Sequence, residues 1–271
     1  MREVVGDVTR EREDRLATEE PLEIRLGWPG RSPERLTVTM RTPGHDFELA
    51  AGFLYGEGLI DSGDHLHTVA YCTDHTLTPE QEFNVVTAEL RRPPLRDPGG
   101  RYDGPTAGSS ACGVCGKQSV DDVMAAAAPE AASGPRSPVP PEVIASLPDR
   151  LREAQRVFDR TGGIHAAALF DVDGEPVVVR EDIGRHNAVD KVVGSLVLQG
   201  RPTNLPVLCV SGRIGFELAQ KAVAAGVGVI AAVGAPSSLA VQLAESAGLC
   251  TVGFVRDDRF VVYTEPTRIG V

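Results

Sequence analysis

Hydrophobic and polar residues in the first half of the chain predict a mixture of strands and helices. Residues 35–42 alternate between apolar and polar, which is typical of a half-buried strand, and residues 83–90 predict a second strand. Between them, apolar residues recur at helical spacing over 45–60 and predict a helix. A Pro- and Gly-rich loop over 91–111 follows, and the Pro, Ser and Gly content of 129–143 predicts a linker.

The second half alternates apolar strands with helices. Strands are predicted over 165–171, 176–182, 205–211, 227–233, 251–255 and 259–264, and helices over 187–198, 215–226 and 237–249. The first two strands are predicted to pair as a hairpin across Asp173 and Gly174. Repeated strand–helix–strand units of this length predict a buried, largely parallel sheet with helices on both faces. Ligands of such sheets bind beyond the carboxyl ends of the strands, where the segments are VSGRIG (210–215), VGAPSS (233–238) and FVRDDR (254–259).

Composition narrows the classes of function. The chain has 271 residues, a formal net charge of -11 and a pI of about 5.1, so we expect no general binding to nucleic acids or anionic membranes. The charged start, MREVVGDVTREREDR (1–15), lacks the apolar run of a signal peptide. No stretch of the chain approaches the roughly 20 apolar residues that a membrane span needs. We therefore expect a cytoplasmic protein whose thiols stay reduced.

Two of the five cysteines, Cys112 and Cys115, form a CxxC motif within GSSACGVCGKQSV (108–120). A structural zinc site needs four ligands, and neither a second CxxC nor a histidine pair at ligand spacing accompanies this motif. A thioredoxin-like switch places its CxxC where a strand opens a helix, whereas this motif follows a Pro- and Gly-rich loop. Incidental cysteines of a tight turn are usually buried among apolar neighbours, whereas the neighbours here are Ser and Gly.

A reactive thiol agrees better with the residues around the motif. A thiolate is the nucleophilic form of cysteine, and its pKa falls near a cation or a helix N-terminus. Gly113 and Gly116 let backbone N–H groups approach the sulfur, and Lys117 adds a positive charge. A helix predicted over 116–128 would add its dipole. We therefore favour a thiol that accepts a group and carries it elsewhere.

Six ordered segments together resemble the FdhD family, whose members are accessory sulfurtransferases of formate dehydrogenase. The segments are CGVCGK (112–117), GGIHAAAL (162–169), EDIGRHNAVDKVVG (181–194), SGRIGFELAQKA (211–222), GAPSSLAVQLA (234–244) and FVRDDRFVVYTEPTRI (254–269). The earlier run RTPGHDFELAAGFLYGEGLI (41–60) agrees with the family as well, so the resemblance covers most of the chain from about residue 20.

This resemblance implies a sulfur carrier. A cysteine desulfurase would donate sulfur as a persulfide on Cys112, with Cys115 assisting. The sulfur would pass to molybdenum in the bis(molybdopterin guanine dinucleotide) cofactor, which is cargo for formate dehydrogenase. The cofactor-binding segment of the family matches Phe254, Val255, Arg256, Asp257, Asp258 and Arg259. Arginines suit phosphate oxygens and carboxylates suit a guanine edge, whereas the structural alternative is a solvated turn between two strands.

The resemblance also implies an α/β architecture that is α+β overall. A smaller N-terminal α+β domain over 1–135 would carry the CxxC loop, and a larger cytidine-deaminase-like α/β domain would span 136–271. Zinc deaminases carry a His-x-Glu motif and a later Pro-Cys-x-x-Cys, but here Ala167 holds the glutamate position after His165 and no Pro-Cys-x-x-Cys follows, so we expect no zinc-dependent deamination. We expect no structural metal either, because the CxxC motif lacks two further ligands. His165 is either a core histidine at the start of a strand or a ligand-binding residue, and we favour the core histidine. A homodimer is expected, because the family is inclined to dimers and symmetric dimers are common.

A polar cluster at a strand–helix junction has two explanations. The cluster lies in EDIGRHNAVDK (181–191) and consists of Asp182, Arg185, His186, Asn187, Asp190 and Lys191. A helix N-terminus with these neighbours suits an anion or a pterin, and capping with surface ion pairs explains the same residues. The segment SGR (211–213) is a similar, weaker case.

Two functions stay open at this point. The first is a sulfur-transfer enzyme with Cys112 as its covalent carrier. The second is a chaperone that binds the guanine dinucleotide cofactor and hands it over without cysteine chemistry. Substitution of Cys112 separates them, because only the first function needs that thiol.

Overall fold

The computed structural model describes residues 1–73, 78, 82–98 and 138–271. Over these residues the chain is a mixed α+β fold with twelve strands in three sheets and six α-helices. No helix in these ranges is long and apolar enough to cross a membrane. The CxxC motif, the helix predicted over 116–128, the loop from residue 99 onward and the linker up to residue 137 lie outside the described residues.

The first half forms a short hairpin and a four-stranded sheet. Its elements are β1 (Arg2–Val5), β2 (Val8–Glu11), β3 (Glu20–Trp28), β4 (Arg31–Arg41), α1 (Asp46–Gly56), a 3₁₀ helix (Gly63–His65), β5 (Leu66–Tyr71) and β6 (Val85–Leu90). The sheet has the order β4-β3-β6-β5, in which β3 and β6 are parallel and the outer pairings are antiparallel. Alternate residues of β3, namely Leu22, Ile24 and Leu26, are buried and fix the face that joins the core.

The second half forms a six-stranded sheet with the order β12-β11-β10-β9-β7-β8. Its elements are α2 (Pro141–Glu153), α3 (Arg156–Thr161), β7 (His165–Phe170), β8 (Pro176–Asp182), α4 (Arg185–Leu198), β9 (Val207–Val210), α5 (Phe216–Ala225), β10 (Val229–Ala232), α6 (Ser238–Ala247), β11 (Cys250–Arg256), β12 (Arg259–Thr264) and a 3₁₀ helix (Pro266–Ile269). The strands and helices predicted from the sequence of this half are confirmed, with small shifts at their ends.

The prediction of a largely parallel sheet is wrong, because the sheet is mixed. Strands β9, β10 and β11 run parallel, since α5 and α6 return the chain across the sheet before each new strand. Strand β7 is antiparallel to both of its neighbours, β8 and β9, and β12 is antiparallel to β11. Tight turns join β7 to β8 and β11 to β12, and tight turns can connect only antiparallel strands.

Helices cover both faces of this sheet, as predicted. Ala167 and Leu169 of β7 belong to the core beneath α4, α5 and α6, whereas Ala168 and Phe170 belong to a second core on the opposite face. Helix α2 covers the second core with buried residues at helical spacing, which are Ile144, Leu147 and Leu151. Since α2 begins at Pro141, the predicted linker over 129–143 is wrong in its last three positions.

Helix α1 of the first half packs on α4 of the second, and glycines bring the two backbones together. A Cβ atom at Gly52 would collide with the carbonyl group of Asp190, and one at Gly194 would collide with the carbonyl oxygen of Glu48. Glycine is therefore required at both positions. One continuous hydrophobic core includes residues of both halves. The division into domains at residue 135 falls outside the described residues and stays a prediction.

Candidate functional site

A cavity of about 390 Å³ opens at the carboxyl ends of the parallel strands β9, β10 and β11. It is lined by His165, Arg185, Ser211, Gly212, Arg213, Val233, Gly234 and Arg256. The three segments that the sequence places at this edge, 210–215, 233–238 and 254–259, each contribute to the lining. The antiparallel pairing of β7 with β9 adds the first residue of β7, because the start of β7 lies beside the end of β9.

The wall of the cavity depends on close backbone contacts after β9 and β10. The Gly234 N–H donates to the Gly212 carbonyl oxygen at 3.0 Å. A Cβ atom at Gly234 would lie 2.8 Å from Arg213 Cγ and 2.9 Å from the Gly212 oxygen, so no larger residue fits without a shift. The Ser211 hydroxyl oxygen accepts a hydrogen bond from the Ala166 N–H at 2.9 Å, which ties the segment to β7.

Three arginines line the cavity, and we call Arg185, Arg213 and Arg256 the cavity arginines. Within the part of the chain that the structure describes, none of them forms a side-chain hydrogen bond or a salt bridge. Guanidinium groups present several donors in a planar arrangement that matches phosphate or carboxylate oxygens. In a chain with a net charge of -11, three unpaired arginines around one cavity indicate a site for an anionic ligand.

Arg185 occupies a position that does not favour stability. It is the first residue of α4, whose first turn contains no acidic residue, and Gly184 at its N-cap provides no side-chain hydrogen bond. A cation near a helix N-terminus is repelled by the positive end of the helix dipole. The same N-terminus attracts an anion through its free N–H groups, so the position of Arg185 suits ligand binding.

The polar cluster at the start of α4 is mostly structural, and its ion pairs are buried rather than superficial. Asp182 Oδ2 lies 2.6 Å from Lys191 Nζ, and Asp182 Oδ1 accepts from the Asn187 side-chain amide at 3.0 Å. The Asn187 amide also donates to the Met40 carbonyl oxygen, and Lys191 donates to the Thr42 carbonyl oxygen. These bonds attach the segment after β4 to the start of α4. We call Asp182, Asn187 and Lys191 the junction cluster.

The other three members of the polar run have different surroundings. Asp190 is paired with Lys221 at 2.6 Å, although burial raises the pKa of Asp190. His186 Nε2 lies 3.6 Å from Glu217, and the imidazole lowers the pKa of that carboxyl group. Of the six residues in the run, Arg185 alone lines the cavity.

The segment 254–259 contributes one of its six residues to the lining of the cavity, which is Arg256. Val255 is buried in the second core, whereas the other five residues, Arg256 included, are exposed. Phe254 and Asp257 both adopt positive φ angles, of 55° and 49°, where the pairing of β11 with β12 is irregular. The Phe254 N–H donates to the Gly234 carbonyl oxygen at 3.2 Å, so the segment is attached to the cavity wall.

His165 is placed differently from our expectation of a core histidine. It is half-buried and lines the cavity against Gly212. A Cβ atom added to Gly212 would lie 3.4 Å from Nδ1 of the His165 ring. The sequence indicated that His165 lies at the start of a strand. His165 reaches the ligand edge only because β7 pairs antiparallel with β9. Over the described residues, no group of three or more His, Cys, Asp or Glu side chains is arranged to hold a metal ion.

The cysteines divide into two groups. Cys112 and Cys115 lie outside the described residues. Cys209 and Cys250 are buried, and burial raises the pKa of each thiol to about 12, so neither provides a thiolate near neutral pH. Cys72 is half-buried, with Arg25 Nη1 at 3.8 Å from its sulfur.

Comparison with known proteins finds relatives over nearly the whole chain. The model of the FdhD/NarQ family matches residues 17–270. A protein of Streptomyces avermitilis named sulfur carrier protein FdhD is 51% identical over 261 residues, which are 96% of this chain and 90% of that protein. A protein of Mycobacterium tuberculosis with the same name is 47% identical over 274 residues, 99% of this chain and 96% of that protein.

A solved structure has the same fold. This crystal structure from Desulfotalea psychrophila, provisionally described as a formate dehydrogenase accessory protein, matches with a TM-score of 0.73. The match covers 99% of this chain and 96% of that chain at 23% sequence identity. At this identity the likeness establishes the common fold.

Proposed function

The chain belongs to the FdhD/NarQ family, and from that premise we propose that it is a sulfur carrier that serves formate dehydrogenase. Sulfur from a cysteine desulfurase is held as a persulfide on Cys112, with Cys115 as an assisting thiol. It is delivered to the bis(molybdopterin guanine dinucleotide) cofactor while that cargo is bound to the six-stranded half. We propose that the carrier works in the cytoplasm as a homodimer and binds no metal of its own.

The observation that carries this proposal is the set of unpaired cavity arginines. A dinucleotide cofactor presents diphosphate groups, and arginine is the side chain best shaped to bind their oxygens. The cavity lies at the edge of the sheet where such folds bind ligands. The exposed carboxylates of Asp257 and Asp258 follow Arg256 directly and suit the donors of a guanine edge. Because the protein is acidic overall, binding of a polyphosphate requires a dedicated site.

Loading of Cys112 balances without an outside oxidant or reductant, whereas delivery takes two electrons, which Cys115 supplies as it displaces hydrosulfide from the persulfide and forms a disulfide with Cys112. The Cys112 thiolate attacks the terminal sulfur of the donor persulfide, the sulfur–sulfur bond of the donor breaks, and the donor cysteine leaves as a thiolate. One sulfur atom is thereby moved from donor to acceptor. Cys209 and Cys250 are unsuited to this attack, because their thiols stay protonated in the core.

Intact-mass measurement after incubation with a cysteine desulfurase and cysteine tests the carrier role. We expect the mass of the wild-type protein to increase by about one sulfur, in a form that a reductant removes. The Cys112→Ala protein should gain no sulfur. The control is Cys72→Ala, which removes a half-buried thiol outside the CxxC motif and should gain sulfur like the wild type.

A second function is distinguished by the same variants. If the protein were a cofactor chaperone without cysteine chemistry, the wild type would gain no sulfur, and Cys112→Ala would still support formate dehydrogenase activity. A sulfur gain that persists in Cys112→Ala would contradict the proposed carrier residue.

A further inference from the structure

His165 is an imidazole without a partner in a cavity lined by cations. It is the first residue of β7, it is half-buried, and its ring lies against Gly212. Over the described residues its side chain forms neither a hydrogen bond nor a salt bridge. Both ring nitrogens are therefore available to a ligand that enters the cavity.

The charged groups around His165 come from four other parts of the fold. Arg185 and His186 belong to α4, Asp182 ends β8, Arg213 follows β9, and Arg256 ends β11. Burial lowers the pKa of His165, and the charges of Arg185 and His186 lower it further, against an opposing contribution from Asp182. The Asp182 carboxylate is already paired with Lys191 at 2.6 Å. The imidazole is therefore neutral at pH 7 while the cavity holds no anion.

We propose that His165 takes up a proton from solvent when a diphosphate ligand enters the cavity, and that the imidazolium then binds the ligand beside the cavity arginines. The proposal rests on the proposed function, because it takes its ligand class from the cofactor. His165 is in this view a ligand-binding residue whose charge appears only with the ligand.

The direction of the pH dependence follows from the charges. An anion beside the imidazole favours its protonated form, so the pKa of His165 is higher with ligand than without it. Affinity therefore increases as the pH falls through the pKa of the complex, and it levels off below the pKa of the free protein. Each pH unit that separates the two pKa values adds about tenfold to the affinity at the acidic end.

Calorimetry with GDP-mannose tests this proposal. The diphosphate of this probe is esterified at both ends, so its own charge stays constant near neutral pH. Titrations between about pH 5.5 and about pH 8.5, in buffers that differ in their heat of ionisation, measure the number of protons taken up on binding. We expect uptake of a proton by the wild type, and tighter binding at the acidic end of the range.

The variants assign the proton to one histidine. His165→Gln and His165→Asn should bind GDP-mannose without proton uptake and with an affinity that does not change with pH. His67→Gln changes an exposed histidine of β5 and should behave as the wild type. His186→Gln changes the buried neighbour near Glu217 and should retain the uptake.

Three results overturn the proposal, and they differ in what else they overturn. Proton uptake that is unchanged in both His165 variants would remove His165 from the ligand site. Uptake that is lost in His186→Gln and kept in the His165 variants would assign the proton to His186. Absence of GDP-mannose binding by the folded wild type at every pH would contradict both this proposal and the cofactor site of the proposed function.

Discussion

The two sides of the α4 N-terminus carry charged residues that are used in opposite ways. On the side of the first half, the junction cluster is buried, and every member is hydrogen-bonded to another part of the protein. On the other side, the cavity arginines have no salt-bridge partner among the described residues. Buried charges of the first kind have to be paired for the chain to fold. Unpaired cations around a cavity contribute no internal bond and are available to a ligand.

This difference shows why charge clusters in a sequence are ambiguous. Arg185 and Lys191 belong to the same polar run, 181–191, and no local pattern separates them. They are six residues apart on α4. Lys191 contacts the chain after β4, whereas Arg185 lines the cavity. The partner segments, which are remote in sequence, decide which charge is structural.

The largest expected effect is the loss of a junction-cluster charge. Asp182→Ala removes the carboxylate that pairs with Lys191 and leaves a buried ammonium group without its counter-ion. We expect the free energy of unfolding to fall by about 3–5 kcal/mol, measured by denaturant titration. Arg185→Ala is the matched control from the cavity side, and it should change stability by less than about 0.5 kcal/mol.

The comparison between the two sides of α4 fails if these two variants behave alike. An Arg185→Ala protein that is as unstable as Asp182→Ala would mean that the cavity arginine is part of the folding core. An Asp182→Ala protein of nearly wild-type stability would mean that the junction cluster is dispensable.

A smaller effect is expected from the glycine contact that holds α1 against α4. In Gly52→Ala the new Cβ atom would lie 2.6 Å from the carbonyl carbon of Asp190, so one of the two helices has to shift. We expect a loss of about 1–3 kcal/mol in the free energy of unfolding. Gly56→Ala is the control in the same helix, because its Cβ atom would lie 3.4 Å from the flexible Lys221 side chain.

The Gly56→Ala control should be neutral or slightly stabilising, since alanine favours the helix by up to about 1 kcal/mol over glycine. Equal stability of Gly52→Ala and Gly56→Ala in thermal or denaturant unfolding would show that the close helix contact is not needed.

The strands of the second half could be predicted from sequence, and so could the hairpin of β7 with β8, whereas the other strand directions could not. Apolar runs such as 205–211 and 227–233 contain enough hydrophobic residues to identify buried strands. The directions depend on which strands become neighbours, and β9 has an antiparallel neighbour, β7, on one side and a parallel neighbour, β10, on the other. A pattern along one segment does not contain this information, so the sheet was wrongly expected to be largely parallel.

Helix α2 was missed because its prolines resemble those of a linker. Pro140 is at the N-cap and Pro141 is the first helical residue, where a missing N–H group costs no hydrogen bond. The apolar residues Ile144, Leu147 and Leu151 follow at helical spacing and are buried. This spacing was the signal that could have identified the helix.

The ligand edge could be predicted from sequence, but the residues that line it could be predicted only in part. The three segments after β9, β10 and β11 meet as expected, because parallel strands end at the same edge of a sheet. The family resemblance selected the six residues over 254–259. Of these, Arg256 lines the cavity, whereas Val255 lies in the core and the other four are exposed outside the lining. His165 joins the cavity through a pairing that the sequence did not predict.

Calorimetry of GDP binding tests most directly whether the unpaired cations form a ligand site. We expect Arg185→Ala, Arg213→Ala and Arg256→Ala each to lose about 1.5–3 kcal/mol of binding free energy, about ten- to a hundredfold in affinity. Arg10→Ala is the control, because Arg10 is an exposed arginine of β2 that does not line the cavity, and it should bind GDP nearly as the wild type does. Equal affinity in the wild type and all four variants would contradict the account.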